Sequence, residues 1–130
     1  MDQIAQLVRH RIDNAPAGGT VSLRRSLPVP TYGYLVGGAG PVLVFQSEEA
    51  LREHWGMVES FVSAVYAHGH QYIGWWTDPE TEKVYLDVST WHAELYDADR
   101  LSQRRGEIAF FDIENNDSLK TGAYGFGRIA

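Results

Sequence analysis

Histidines, carboxylates and tryptophans crowd residues 68–92, and their spacing defines the chemistry open to the chain. His68-x-His70 would place two imidazoles on one side of an extended segment, because alternate residues of a strand project the same way. A metal site needs three or four ligands, so Asp87 or His92 would have to come from the far strand of a hairpin or beyond. The ordinary reading is a histidine interacting with the free carbonyls of a helix end, followed by a polar strand start. It outweighs the metal, and neither metal nor cofactor is expected.

Asp87, Ser89 and His92 contain the residue types of a hydrolytic triad within six positions. Side chains so close along one strand rarely converge as a triad must, and no G-x-S-x-G elbow accompanies them. Carboxylate and histidine chemistry around Asp87, His70 and His92, giving a small hydrolase-like enzyme, is therefore the alternative and not the first reading. Gly37-Gly38-Ala39-Gly40 lacks the Gly-Lys-Ser/Thr ending of a phosphate loop and precedes a strand, so it reads as a hairpin joint. Glu80, Glu82, Glu94 and Asp97 lie close in sequence, but mostly in turns, where a solvated charge needs no special reason.

Trp75-Trp76, Trp91, Tyr72, Tyr85 and Tyr96 make the same region aromatic. Adjacent tryptophans on a strand must point to opposite faces, so one of Trp75 and Trp76 is expected in the core and the other outside. An outward tryptophan beside Tyr85, rimmed by Glu80 and Glu82, would serve as a hot spot for a protein partner.

Composition bounds these readings. The 130 residues are 44% hydrophobic and 12% aromatic, enough for a single folded domain over residues 1–130. There is no cysteine, which removes disulfides, thiolate ligands and cysteine nucleophiles. No apolar run reaches the ~18 residues of a membrane span and the N-terminus lacks a signal-like apolar stretch, so the expectation is a soluble, cytoplasmic protein. The net charge of −6 is concentrated between Asp78 and Asp99, with seven acids against Lys83. Such a face repels phosphates, which argues against nucleic acid, although Arg24-Arg25 and Arg104-Arg105 offer basic pairs.

The elements that must position these residues follow from periodicity. Ile4, Leu7, Val8 and Ile12 predict an amphipathic helix over 2–13, followed by a loop at 14–19 and a short strand between Thr20 and Leu27. Tyr32 to Val36 and Val42 to Phe45 predict a hairpin across the glycine-rich joint. Ser47 predicts the N-cap of one long helix carrying Leu51, Trp55, Val58, Val62 and Val65 and ending at His68-Gly69, with Gly56 marking a close approach. Gln71 to Ser89 predicts the central hairpin, turning at Asp78-Pro79. A helix from Ala98 to Arg105 capped by Asp97, a buried strand at 108–113 and a turn at Asn115-Asn116-Asp117 follow. The tail from Gly122 onward is either an edge strand or an arm. The sum is an α+β fold: an antiparallel sheet of about five to six strands, helices mainly on one face, and two ββα units hinting at a duplication.

Tyr72-Ile73-Gly74-Trp75-Trp76, the Asp78-Pro79-Glu80-Thr81 turn, Lys83 to Ser89, a short helix and Glu107 to Asp112 together resemble a module of small uncharacterised proteins of actinobacterial phages and plasmids. The resemblance covers Tyr72 to Glu114 and implies a mobile-element setting without a defined activity. It carries over no site residue, and Arg100, Arg104 and Arg105 stand where that family's helix is richer in alanine and glutamate. The reading of first choice is a small non-enzymatic accessory protein that binds another protein through the aromatic hairpin. Homodimerisation through bare strand edges is also open.

Overall fold

The computed structural model describes residues 2–24 and 26–124. Arg25, and the end of the glycine-aromatic tail that the sequence left open between strand and arm, lie outside the described residues. In chain order the elements are α1 (Asp2–Asn14), β1 (Gly18–Ser22), β2 (Tyr34–Val36), β3 (Leu43–Phe45), α2 (Glu48–Glu53), α3 (Trp55–Ala67), β4 (Tyr72–Thr77), β5 (Val84–His92), α4 (Leu95–Arg104), β6 (Ala109–Asp112) and β7 (Asp117–Lys120). The α+β class with antiparallel pairing is therefore as expected, with seven strands among the described residues where five to six were anticipated. No helix among the described residues is long and apolar enough to cross a membrane.

The chain divides into two compact units, one of residues 1–29 and 40–88, the other of 30–39 and 89–130. In the first unit the strand order is β1-β4-β5, with β3 also paired to β5. Its core collects Val8 and Ile12 of α1, Val58, Val62 and Val65 of α3, and Ile73, Trp75, Val84, Leu86 and Val88 of the strands, all buried. The alternation along β4 and β5 sends these side chains inward and Trp76, Tyr85 and Asp87 outward. Arg9 of α1 stacks on the Trp55 ring of α3 at 5.1 Å, joining the two helices by a cation–π contact.

The second unit pairs β2 with the end of β5 and with β6, and β6 with β7. Its core is Val36, Ala98 and Phe110, with Tyr34, Leu95, Leu101, Leu119 and Tyr124 packed against it. Asp99 of α4 is fully buried and accepts hydrogen bonds from the Gly122 amide at 2.6 Å and the Gln103 side chain at 2.9 Å. It thus ties the helix to the segment after β7, a larger task than the favourable helix-dipole charge that its position suggests.

Several expectations change. Tyr32–Val36 and Val42–Phe45 do not form a hairpin: β2 runs antiparallel to Thr90–His92 and β3 antiparallel to Val84–Leu86. They are two lengths of strand laid in series along β5, with six residues, 37–42, between them against the three residues 87–89 of β5. The apparent ββα duplication dissolves with that hairpin. The long helix breaks at His54 (φ −112°, ψ 37°) into α2 and α3, next to Gly56, the weakest helix former in the run. No atom lies within 4 Å of a Cβ placed on Gly56, so that glycine marks no close approach. The strand at β1 begins inside the expected loop, β5 extends through Thr90–His92, α4 starts earlier, with Glu94 as N-cap and not Asp97, and β7 follows the Asn115–Asp117 turn. Ser47 does cap α2, accepting from the Ala50 amide at 3.0 Å.

Close approaches are instead at Gly33 and at Gly19, where an added Cβ would lie 2.5 Å from Cζ2 of Trp75. Gly19→Ala is expected to lower unfolding free energy by about 1–3 kcal/mol through overpacking. Gly56→Ala, with open space and helical backbone, should raise it by about 0.4–1 kcal/mol. Denaturant unfolding of the two variants checks both signs. Asp99→Ala, which strips two donors of their acceptor in a buried site, should cost about 2–3 kcal/mol in the same assay.

Candidate functional site

The central hairpin is fixed at its tip by short hydrogen bonds. The Asp78 amide donates to the Lys83 carbonyl at 2.9 Å and the Glu82 amide to the Asp78 carbonyl at 2.8 Å. The Asp78 carboxylate accepts from the Glu80 amide at 2.9 Å, an Asx turn, and Glu82 takes the left-handed conformation at φ 67°. Exposed Glu80 and Glu82 therefore stand on an ordered turn.

The strands leaving that turn resolve the tryptophan pair. Trp75 is buried, with its indole N–H donating to the Ala15 carbonyl at 2.7 Å and its ring over Gly19. It holds the core together and is not available to a partner. Trp76 is 52% exposed and lies beside Tyr85, ring centroids 5.7 Å apart and planes inclined by 30°. Strand register continues the row on both sides, with Gly18 opposite Trp76 and the exposed Val44 opposite Tyr85. The face is flat at Gly18, aromatic at its centre and apolar at its far edge.

The residues of the catalytic alternative are placed otherwise. His70 and Asp87 belong to the first unit and His92 to the second. The Asp87 carboxylate accepts the amide of Val88 at 2.8 Å. His68 is exposed at the end of α3, the helix-terminal position that its sequence context suggested. Among the described residues no three histidine, aspartate or glutamate side chains gather to hold a metal ion, so His68 and His70 lack a third ligand there. A shallow depression in the first unit is lined by Leu43, His54, Gly56, Met57 and Ser60, and none of the catalytic candidates reaches it.

His92 instead joins a polar cluster that sequence reasoning missed. Its Nε2 is 2.8 Å from the Thr90 hydroxyl, and Arg105 donates to that hydroxyl at 2.9 Å. The same guanidinium donates to the carbonyls of Val36 and Gly37 at 2.9 and 3.1 Å, where the backbone leaves β2. Sequence spacing carries no sign of this, since Arg105 is fifteen positions from Thr90 and nearly seventy from Val36. Burial, and then the Arg105 charge, push the His92 pKa below its ordinary value, against a smaller upward pull from Asp97.

No protein-family model matches the chain, and no curated protein or solved structure is significantly similar to it.

Because His92 binds its proton less readily when folded than when unfolded, it supports the fold above the ordinary histidine pKa, and that support is lost as pH falls through the lowered folded value. Urea unfolding at pH 7.5 and 5.0 is expected to show lower stability at pH 5.0. His92→Gln should lessen that difference, while an unchanged difference would deny His92 the role.

Proposed function

We propose that this is a small non-enzymatic accessory protein that binds another protein through the outer face of its central hairpin. The Trp76–Tyr85 pair, with its indole 52% exposed, carries this reading. An indole half open to water on a regular strand leaves apolar area unburied that a partner would cover, and tryptophan and tyrosine on a rigid element are the residue types that dominate binding energy at interfaces. Glu80 and Glu82 supply a polar rim on a turn whose backbone is already ordered, which limits the entropy lost on binding. The phage or plasmid setting belongs to the same proposal and rests on the resemblance of Tyr72 to Glu114 alone.

Trp76→Ala and Tyr85→Ala remove outward side chains and should leave the thermal midpoint nearly unchanged, whereas Trp75→Ala should cost about 3–5 kcal/mol of stability. Affinity capture from an extract of the source cells, with wild type and the two outward variants side by side, is the test. The expected result is a protein held by wild type and held about tenfold or more weakly by either variant. Equal retention by all three would dismiss the reading.

A further inference from the structure

Resting on the proposed binding face, we infer that its occupant is an extended cationic segment of the partner, rich in arginine or lysine, which seats a positive side chain on the Trp76–Tyr85 pair. Strand alternation puts Asp87 two residues beyond Tyr85 on the same face of β5, while Asp78 and Lys83 stand in the turn that joins β4 to β5. With Glu80 and Glu82 at the tip, four carboxylates accompany one ammonium on this hairpin, near an exposed indole and a half-buried phenol ring. Arg52 pairs with Asp13 at 3.7 Å and with Glu48 at 3.9 Å, and not with the carboxylates of the turn.

The occupant's chemistry follows from putting the two features together. A guanidinium or ammonium gains from the negative face of an indole and from neighbouring carboxylates at once, and arginine, being weakly hydrated, loses least on leaving water. The chain satisfies its own arginines in this way, with Arg9 on Trp55, Arg24 on Tyr66 and Arg100 on Tyr96. Trp76 has no such internal cation among the described residues and offers the same chemistry outward. Other occupants fit less well. A second copy would set the same four-to-one acidic face against itself, a phosphate backbone would be repelled, and a purely apolar surface would desolvate the carboxylates without pairing them.

The test uses the full chain and a short fluorescein-labelled peptide of alternating arginine and serine, followed by fluorescence anisotropy, with a glutamate-serine peptide as control. The arginine peptide is expected to bind, to weaken about tenfold with Trp76→Ala, and to weaken as salt rises, less steeply once Glu80→Gln and Glu82→Gln are introduced together. Absence of binding, equal binding of the glutamate peptide, or indifference to Trp76→Ala would overturn the inference. Sedimentation showing a dimer that Trp76→Ala dissociates would also overturn it, making a second copy the occupant. The two proposals fail separately: a captured protein that still depends on Trp76 while the arginine peptide does not bind preserves the binding face and removes only its cationic occupant.

Discussion

Strand β5 imposes the constraint on which the rest depends. Its nine residues contribute to both compact units, with Val84–Val88 in the first and Ser89–His92 in the second. Each stretch must find a ladder partner, because an unpaired buried backbone group costs about as much as a lost hydrogen bond. The chain meets the demand by laying β3 along the first stretch and β2 along the second. What looks in sequence like a turn between two strands is the length of chain needed to pass from one pairing to the other. The glycines there serve that passage: Gly40 sits where an added Cβ would lie 3.2 Å from both the His70 ring and the Val88 side chain, and Gly38 has φ +76°.

The second unit supplements its apolar core with side-chain hydrogen bonds to the backbone at the ends of its strands and beyond them. In the second unit Arg105 closes the backbone at Val36 and Gly37, and Asp99 holds Gly122. Ser102 reinforces the latter through the Thr121 hydroxyl at 2.7 Å. Hydrogen bonds from a guanidinium are stronger than those between neutral groups, and the loss of a partner is expensive where the group left behind is buried. The short helix α4 therefore does more than cover the core, since its buried Asp99 and Ser102 also hold the segment that follows β7.

The central hairpin divides its aromatic residues between the core and the outer face by the pleat alone. Trp75 and Trp76 are neighbours in sequence with opposite environments, one filling the space that Gly19 leaves and bonded to Ala15, the other beside Tyr85 in water. An exposed ring held on a regular strand loses little freedom when covered, which favours the proposed reading of this face. The acids of the turn add long-range attraction for positive charge, and that bears on the rate and selectivity of association more than on its strength.

Much of the local structure was legible in the sequence: the amphipathic first helix, the Ser47 cap, the turn at Asp78-Pro79, the glycine stop at Gly69 and the opposed pair Trp75 and Trp76. Each depends on interactions within a few residues, or on a period of 2 or 3.6 that any buried face imposes. The tertiary structure alone decided that Tyr34–Val36 and Leu43–Phe45 both pair with β5, that the long helix breaks at His54, and that Arg105 reaches Thr90 and Val36. Those outcomes are choices among distant partners of similar local propensity, settled by which arrangement buries apolar area while leaving the fewest polar groups unpaired, and a local pattern holds no record of that competition.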